Sequence, residues 1–327
     1  MMSSNLEKTL GKKLSKICLG TWGLGSSTSK VPSYGLITKK KSKEILNFSF
    51  INKINFFDTA GIYGDGKSEQ ILGETFYKHR DRVVFATKIG CYDFDKKLDF
   101  SVHRSKKLIN ESLERLNTDY LDIVQFHSPS ELDLKKNIKQ TLDFLKELKK
   151  EKKIRAIGIS LSSPLHLKYI DHKDFDLIQA NFNLMDLRLL KVLSKKFRSK
   201  IMIRTALNFG TLTEKFARRK ISFSKLDHRS RWNLSQLELW QNRANDYKKL
   251  FKKNGNKLSL QQNALRFCFN YFNYVNIGVM NIKELKEYLT PVIFRPYSKK
   301  TLVEISQFYN SSDFFIAKLK PKIKIKK

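Results

Sequence analysis

Residues 55–66 read N-F-F-D-T-A-G-I-Y-G-D-G, a short apolar strand that runs into a glycine-rich loop. Asp58 stands where the predicted strand ends, and Tyr63 follows five residues later in the loop. An acid at the carboxyl end of a strand with a phenol close behind it suits proton transfer better than packing. The stretch therefore predicts that the chain carries a chemical site at the ends of its strands.

Short apolar runs and helical segments alternate along the rest of the chain, at spacings of about 30 residues. Strands are predicted at residues 16–20, 54–58, 83–87, 121–126, 154–159, 177–180, 201–203 and 275–277. Helices are predicted at residues 41–53, 68–77, 102–116, 135–152, 164–170, 186–197, 258–270 and 282–289. Such alternation indicates parallel βαβ units, and eight units close into a (β/α)8 TIM barrel of the α/β class. A doubly wound open sheet also alternates, but Gly20-Thr21-Trp22-Gly23 after the first strand lacks its G-x-G-x-x-G turn.

We expect residues 1–327 to form a single domain, with the barrel at about 16–290. Residues 206–257 form a long loop and helix excursion after the seventh strand, with an amphipathic helix predicted at 234–252. An excursion at this end of a barrel usually serves as a lid or a specificity loop. Residues 291–327 add a helix at 298–309 and a basic tail.

The net charge is +33, with 64 Lys and Arg residues against 31 Asp and Glu residues. The lysines are spread over most predicted helices without a zinc-finger, RNP or P-loop pattern, which indicates a solvated basic surface and no specific nucleic-acid site. Cys18, Cys91 and Cys268 lack metal-ligand spacing, so we predict reduced thiols, no metal site and a cytoplasmic location. No apolar run is long enough for a membrane span, and the first residues lack the apolar core of a signal peptide. The oligomeric state stays open.

Two further predicted strands end in polar side chains, V-V-F-A-T-K-I-G at Lys88 and L-D-I-V-Q-F-H-S at His127. In a parallel barrel these side chains and Asp58 share one face, and Tyr63 lies on the loop above them. A buried ammonium at Lys88 would lower the phenol pKa from about 10, Asp58 would hold Lys88, and His127 could orient a carbonyl. Each residue alone has an ordinary structural explanation, but the four together favour a functional site. They supply no electrons, so carbonyl reduction would require a bound hydride donor.

Seven stretches, in order along residues 16–289, resemble the aldo-keto reductase family. They are L-G-T-W-G, F-F-D-T-A-G-I-Y-G, A-T-K-I-G, Y-L-D-I-V-Q-F-H, I-R-A-I-G-I-S, I-Q-A-N-F-N and I-G-V-M-N-I-K-E-L-K-E-Y-L. The resemblance implies a (β/α)8 barrel that binds NAD(P)(H) in an extended form. It also implies a catalytic tetrad of Asp58, Tyr63, Lys88 and His127, in which Tyr63 protonates the carbonyl oxygen as hydride arrives.

The resemblance further implies a set of cofactor-binding residues. These are Gly20, Thr21, Trp22 and Asp58 near the nicotinamide, Ser160 and Gln179 at its carboxamide, Arg204, Ala206, Leu207, Gly210 and Leu212 over the pyrophosphate, and Gly278, Val279, Asn281, Glu284 and Glu287 at the adenosine end. The backbone N–H groups before the eighth helix suit a phosphate. Glu284 stands where many NADPH-dependent members have Arg, so we predict that NAD(H) is used at least as well as NADP(H). Leu161 and Tyr288 also depart from the family pattern.

The resemblance predicts an NAD(P)(H)-dependent oxidoreductase that interconverts an aldehyde or ketone and its alcohol. A sugar-derived small molecule is one candidate substrate, and physiological oxidation of such an alcohol is an alternative direction. A nicotinamide-binding, redox-sensing regulatory subunit is an alternative of another class, and a polyanion-binding protein is a third.

Overall fold

The computed structural model describes residues 4–94, 97–218 and 220–316. Within this described part, eight parallel strands close into a barrel in sequence order, with β8 pairing back to β1. The strands are β1 Ile17–Gly20, β2 Phe56–Asp58, β3 Val84–Ile89, β4 Leu121–His127, β5 Ile154–Ser160, β6 Leu177–Asn181, β7 Ile201–Arg204 and β8 Tyr274–Gly278. The predicted (β/α)8 barrel is confirmed, and the eight predicted strands lie within two residues of their observed bounds.

The register of the strands places the predicted site residues at one level. Gly20 pairs with Asp58 on one side and Gly278 on the other. Further round the barrel, His127 pairs with Ser160, and Ser160 pairs with Gln179. Side chains separated by more than a hundred residues in sequence therefore share the carboxyl-terminal rim, where barrels of this type carry their sites.

Twelve α-helices surround or close the barrel in the residues that the structure describes. They are α1 Asn5–Leu10, α2 Lys39–Ile51, α3 Lys67–Phe76, α4 Val102–Leu116, α5 Lys139–Lys150, α6 Arg188–Val192, α7 Lys195–Arg198, α8 Glu214–Arg218, α9 Leu234–Lys253, α10 Leu260–Tyr271, α11 Ile282–Tyr288 and α12 Lys299–Ser311. The predicted helix at 164–170 is a 3₁₀ helix, Pro164–Tyr169, and a π-helical turn, Asp133–Asn137, precedes α5. The predicted helix at 186–197 is two short helices, because the chain is extended at Leu193. None of the described helices is both long and apolar enough to cross a lipid bilayer.

The short helix α1, which the sequence analysis did not predict, closes the amino-terminal end of the barrel. Ser4 and Glu7 form a capping box at its start. Leu6, Leu10 and Leu14 are buried against apolar residues that point into the barrel from the strands. This packing seals the barrel at the end opposite the predicted site.

The excursion after β7 crosses to the loop after β1. Asp227 forms bridges with Ser33 and Tyr34, and the backbone N–H of His228 donates to the carbonyl oxygen of Ser33 at 2.8 Å. We call residues 226–232 the strap. It spans the carboxyl-terminal rim between β7 and β1 and forms one wall of the cleft described next. The tail beyond residue 316 lies outside the described residues.

Candidate active site

A cleft of about 510 Å³ opens at the carboxyl-terminal rim of the barrel. All four members of the predicted tetrad line it, and so do most residues that the resemblance assigned to the cofactor. Those lining residues are Gly20, Trp22, Asp58, Tyr63, Lys88, His127, Gln179, Arg204, Ala206, Leu207, Gly210, Gly278, Val279, Asn281 and Glu284. Thr21, Ser160, Leu212 and Glu287 were also predicted but do not line it.

Lys88 and Asp58 form a buried ion pair at the bottom of the cleft. The Nζ of Lys88 lies 2.7 Å from Oδ2 of Asp58 and 2.7 Å from the carbonyl oxygen of Thr59, and both residues are 3% exposed. Burial lowers the pKa of Lys88, but the Asp58 carboxylate and the Tyr63 phenol outweigh it and leave the pKa raised. The ammonium is therefore held charged and fixed, which agrees with the role predicted for Asp58.

Two glutamine side chains hold the other carboxylate oxygen. Gln125, on β4, donates from Nε2 to Oδ1 of Asp58 at 3.2 Å, and Gln179 donates to the same oxygen. Gln179 also donates to Oε1 of Gln125 at 2.8 Å, and its own carbonyl oxygen has no partner among the described residues and is open to a ligand. A Cβ atom at Gly158 would lie 2.7 Å from Cγ of Gln125, so glycine makes room for this side chain. Gln125 was missed in the sequence, although it lies two residues before His127 and so shares its face of the strand.

Tyr63 stands on a loop that is fixed against the neighbouring loop after β1. Gly64 has φ +60°, and a Cβ atom there would collide with the backbone of Gly25. The Nζ of Lys88 lies 4.8 Å from the centre of the phenol ring, close enough for its charge to act on the phenol. Burial raises the pKa of Tyr63, and Lys88 lowers it by less, so the net direction is upward. The expected acidification of the phenol is therefore wrong as a net effect, because desolvation of the buried ring is larger than the attraction of Lys88.

His127 faces Tyr63, with ring centres 5.9 Å apart in an edge-on arrangement. Burial, Lys88 and Arg204 hold its pKa well below the ordinary value. The ring is therefore neutral near pH 7 and carries a single N–H. Its Nδ1 is buried without a hydrogen-bond partner among the described residues. A neutral imidazole beside the phenol can donate one hydrogen bond to a carbonyl oxygen without adding charge.

Arg204, which the resemblance assigned to the pyrophosphate, lies instead beside the strand ends that carry His127 and Ser160. Nε donates to Oδ1 of Asn181 at 2.9 Å, and Nη1 donates to the hydroxyl oxygens of Ser160 at 2.8 Å and Ser128 at 3.4 Å. Ser160, predicted at a carboxamide, accepts one hydrogen bond from Arg204 and keeps its hydroxyl hydrogen and a second lone pair for a ligand.

At the opposite end of the cleft, Glu284 occupies donors at the start of α11. Its Oε2 accepts from the backbone N–H of Met280 at 2.8 Å, and its Oε1 accepts from Nδ2 of Asn281 at 3.0 Å. Asn281 in turn caps the helix by accepting from the N–H of Glu284 at 2.9 Å. A carboxylate of the chain itself therefore stands where an anion would meet these donors.

Three further predicted residues have structural partners away from the cleft. The Thr21 hydroxyl contacts the hydroxyl of Ser68 at 2.6 Å and donates to the carbonyl oxygen of Asp58 at 3.0 Å. Leu212 is fully buried in the core. Glu287 accepts from Ser259 at 2.6 Å and from Gln261 at 2.7 Å. Each side chain packs or bonds behind the cleft, so any contact with a cofactor would come from backbone atoms or after rearrangement.

Aromatic side chains form the outer wall, of which the sequence predicted only Trp22 as a site residue. Trp22 lies 5.4 Å from Tyr34 and 4.7 Å from His228 between ring centres, and Phe94 and Phe209 also reach this wall or the cleft. They come from the loops after β1, β3 and β7, where sequence periodicity gives no signal. Burial lowers the pKa of His228 to about 4, so this ring is neutral as well.

Two more cations line the cleft and were also missed. Arg229 is paired with Asp227 at 2.6 Å, and its Nη1 donates to the carbonyl oxygen of Phe209 at 3.2 Å. Lys215, on α8, is exposed at the rim.

The residues that line the cleft fit a dinucleotide with a nicotinamide. One end of the cleft combines a phenol, a neutral histidine and the free carbonyl oxygen of Gln179, while Lys215 offers positive charge for phosphates elsewhere along it.

The sequence model of the Aldo/keto reductase family matches residues 16–310. An aldo-keto reductase of Bacillus subtilis, YhdN, is 36% identical over 154 residues, which is 46% of this chain and 44% of the relative. L-galactose dehydrogenase of Arabidopsis thaliana is 36% identical over 153 residues (46% of each chain), and the NADH-specific methylglyoxal reductase of Escherichia coli is 32% identical over 188 residues (53% and 56%). The matches thus span about half the length of these relatives.

Solved structures share the fold. Glycerol dehydrogenase AKR11B4 from Gluconobacter oxydans superposes with a TM-score of 0.72 at 22% identity, over 92% of this chain and 94% of that one. Aldo-keto reductase AKR11C1 from Bacillus halodurans gives 0.70 at 23% identity, with the same coverage. At this identity the likeness concerns the barrel alone. Because the family model covers most of the sequence, the chain belongs to the aldo/keto reductase family.

Proposed function

We propose that this protein is an NAD(P)(H)-dependent oxidoreductase that interconverts an aldehyde or ketone and its alcohol. The observation that carries the proposal is the buried Lys88–Asp58 pair directed at the Tyr63 phenol, with neutral His127 on the other side of the same cleft. The curated relatives, an L-galactose dehydrogenase and a methylglyoxal reductase among them, support a carbonyl or alcohol substrate.

In the proposed reaction, Tyr63 donates its phenolic proton to the carbonyl oxygen. When bound, the nicotinamide supplies the hydride to the carbonyl carbon. Lys88 stabilises the tyrosinate that forms, and Asp58 holds Lys88 in place by Oδ2 while Gln125 and Gln179 hold Oδ1. His127 orients the carbonyl by a hydrogen bond, since the neutral ring carries a proton to donate.

The wall formed by Trp22, Tyr34 and Phe94 suits a small molecule with an apolar face. The C–H faces of a sugar or polyol meet that requirement, so we retain a sugar-derived aldehyde, ketone or alcohol as the substrate class. Both reduction and oxidation are compatible with the site. Assays of a panel of aldehydes, ketones and polyols in both directions would rank the substrates and the two directions by kcat/KM.

Glu284 favours NAD(H). A 2′-phosphate near the start of α11 would meet a carboxylate that already accepts from Met280 and Asn281. We expect NADH to bind at least as tightly as NADPH when both are titrated by protein fluorescence. Much tighter binding of NADPH would refute this preference, and Glu284→Gln should shift the ratio towards NADPH.

Turnover separates the enzyme from the alternative, a nicotinamide-binding sensor. We expect reduction of 4-nitrobenzaldehyde with NADH or NADPH, and Tyr63→Phe should lower kcat by about 10²–10⁴-fold, the usual contribution of a positioned acid. Tyr77→Phe, at an exposed tyrosine outside the cleft, is the matched control and should keep full activity. Tight cofactor binding without turnover of any substrate in the panel would favour the sensor.

A further inference from the structure

Arg204 is a cation without a compensating carboxylate among the described residues. Its three hydrogen bonds go to neutral oxygens of Asn181, Ser160 and Ser128, and Nη2 has no acceptor within the described part of the chain. The other arginine that lines the cleft, Arg229, is paired with Asp227. Arg204 therefore contributes a full positive charge to the space that it faces.

The charges of the other side chains at this end of the cleft sum to zero. Lys88 and Asp58 are a close ion pair, and His127 and Tyr63 are both uncharged near pH 7. Glu284 and Lys215 also line the cleft, but from α11 and α8, whereas Asp58, Lys88 and His127 stand on β2, β3 and β4. The reacting end thus carries one net positive charge, on Arg204.

Hydride transfer fixes where a nicotinamide ring has to lie. The carbonyl oxygen must reach Tyr63 and His127, and the hydride-donating carbon must come within about 3–3.5 Å of the carbonyl carbon. Arg204 lines the same cleft as Tyr63 and His127, and its Nη1 donates to the hydroxyl of Ser160, the residue that pairs with His127 across the barrel strands. A ring that can react is consequently a near neighbour of the guanidinium.

We propose that Arg204 makes the cleft select the reduced nicotinamide, whose ring is uncharged, over the oxidised nicotinamide, whose ring is a cation. The inference rests on the proposed function, since it requires that a nicotinamide binds. Two like charges in a cleft with restricted water repel each other more strongly than in bulk solvent. The consequence is tighter binding of the reduced form and faster release of the oxidised form.

The test is the ratio of dissociation constants of NAD⁺ and NADH, measured by calorimetry for the wild type, Arg204→Gln, Arg204→Lys and Lys215→Gln. Wild type should bind NADH at least tenfold more tightly than NAD⁺, and Arg204→Gln should reduce that ratio by about tenfold. Arg204→Lys keeps the charge and should keep the ratio. Lys215→Gln removes an exposed cation on α8, so it should weaken both forms alike and leave the ratio unchanged.

An unchanged ratio in Arg204→Gln, or a wild-type ratio near one, would overturn the inference. If Arg204→Gln does not fold, the ratio of dissociation constants of the wild type still tests the inference, because it requires no variant. The ratio of NADP⁺ to NADPH should behave in the same way, because the 2′-phosphate is common to both redox states. Absence of binding by any of the four dinucleotides would instead refute the proposed function, whereas binding with an unchanged ratio refutes only the role of Arg204.

Discussion

At the scale of single residues, the acid strength of Tyr63 is decided by two opposing effects. Burial raises the pKa of the phenol, and the charge of Lys88 lowers it by a smaller amount. The sequence placed both residues correctly, because each follows a predicted strand. It could not rank the two effects, since the depth of burial depends on loops from other parts of the chain.

The raised pKa of Tyr63 predicts opposite pH dependences for the two directions of reaction. Reduction needs the protonated phenol, which persists through neutral pH because the pKa lies above the ordinary value of about 10. Oxidation needs the tyrosinate, so kcat/KM for alcohol oxidation should rise by about tenfold per pH unit between pH 7 and 9. Steady-state assays at constant ionic strength measure both profiles. A plateau in the oxidation profile below pH 8 would show that a group other than a buried phenol accepts the proton.

Gln125 is predicted to position Asp58 for the reaction. Gln125→Met keeps the volume but removes the donor to Oδ1 of Asp58. A hydrogen bond to a charged group contributes about 1.5–3 kcal/mol, so kcat should fall by about 10- to 100-fold. The KM for the aldehyde should change little, because Gln125 does not line the cleft. Gln70→Met, at an exposed position on α3, is the control. A rise of KM in Gln125→Met by the same factor as the fall of kcat would indicate a merely structural role.

At the scale of elements, the strap is a segment whose path the sequence patterns do not predict, although they predict the helix after it. The helix that follows it was predicted at 234–252 and is observed as Leu234–Lys253, because its apolar face repeats with helical period. The path of the strap was not predicted, since it depends on single contacts such as the bridge between Asp227 and Tyr34. These contacts join loops that are nearly two hundred residues apart.

Loss of the Asp227–Arg229 pair should loosen the strap while the barrel stays folded. Asp227→Asn leaves the half-buried guanidinium of Arg229 without its carboxylate partner. We expect amide hydrogen exchange in residues 226–232 and at Ser33 and Tyr34 to accelerate by at least tenfold. The barrel strands should exchange as in the wild type. Mass spectrometry of exchanged peptides measures this, and uniform acceleration over all strands would mean that the pair stabilises the whole domain instead.

At the scale of the whole molecule, the α1 plug and the candidate active site lie at opposite ends of the barrel. The alternation of strands and helices predicted the closed barrel, because each strand is apolar on both faces and each long helix on one. The plug formed by α1 was not predicted from six residues with two leucines. Ser4 followed by Glu7 is the only capping signal in the sequence of this helix, and two residues are too few to predict it. Its stability comes from packing against strands far along the chain.

The plug should contribute to stability without contributing to catalysis. Leu10→Ala removes a side chain that is 4% exposed and should lower the free energy of unfolding by about 2–5 kcal/mol. Activity per folded molecule should stay at the wild-type level, because α1 lies at the other end of the barrel. Urea denaturation measures the first quantity and assays of folded protein the second. Lys8→Ala, at an exposed position of the same helix, is the control, and a kcat lowered in step with stability would contradict the separation.

The central claim is that Tyr63 protonates a carbonyl as a nicotinamide delivers hydride in this cleft. Its most direct test uses NADH with both hydrogens at C4 of the nicotinamide replaced by deuterium, with 4-nitrobenzaldehyde as acceptor and mass spectrometry of the alcohol. Wild type should place one deuterium on the carbinol carbon, and Tyr63→Phe should form at most about one hundredth as much labelled alcohol while still binding NADH. Labelled alcohol formed by Tyr63→Phe at the wild-type rate would contradict the account.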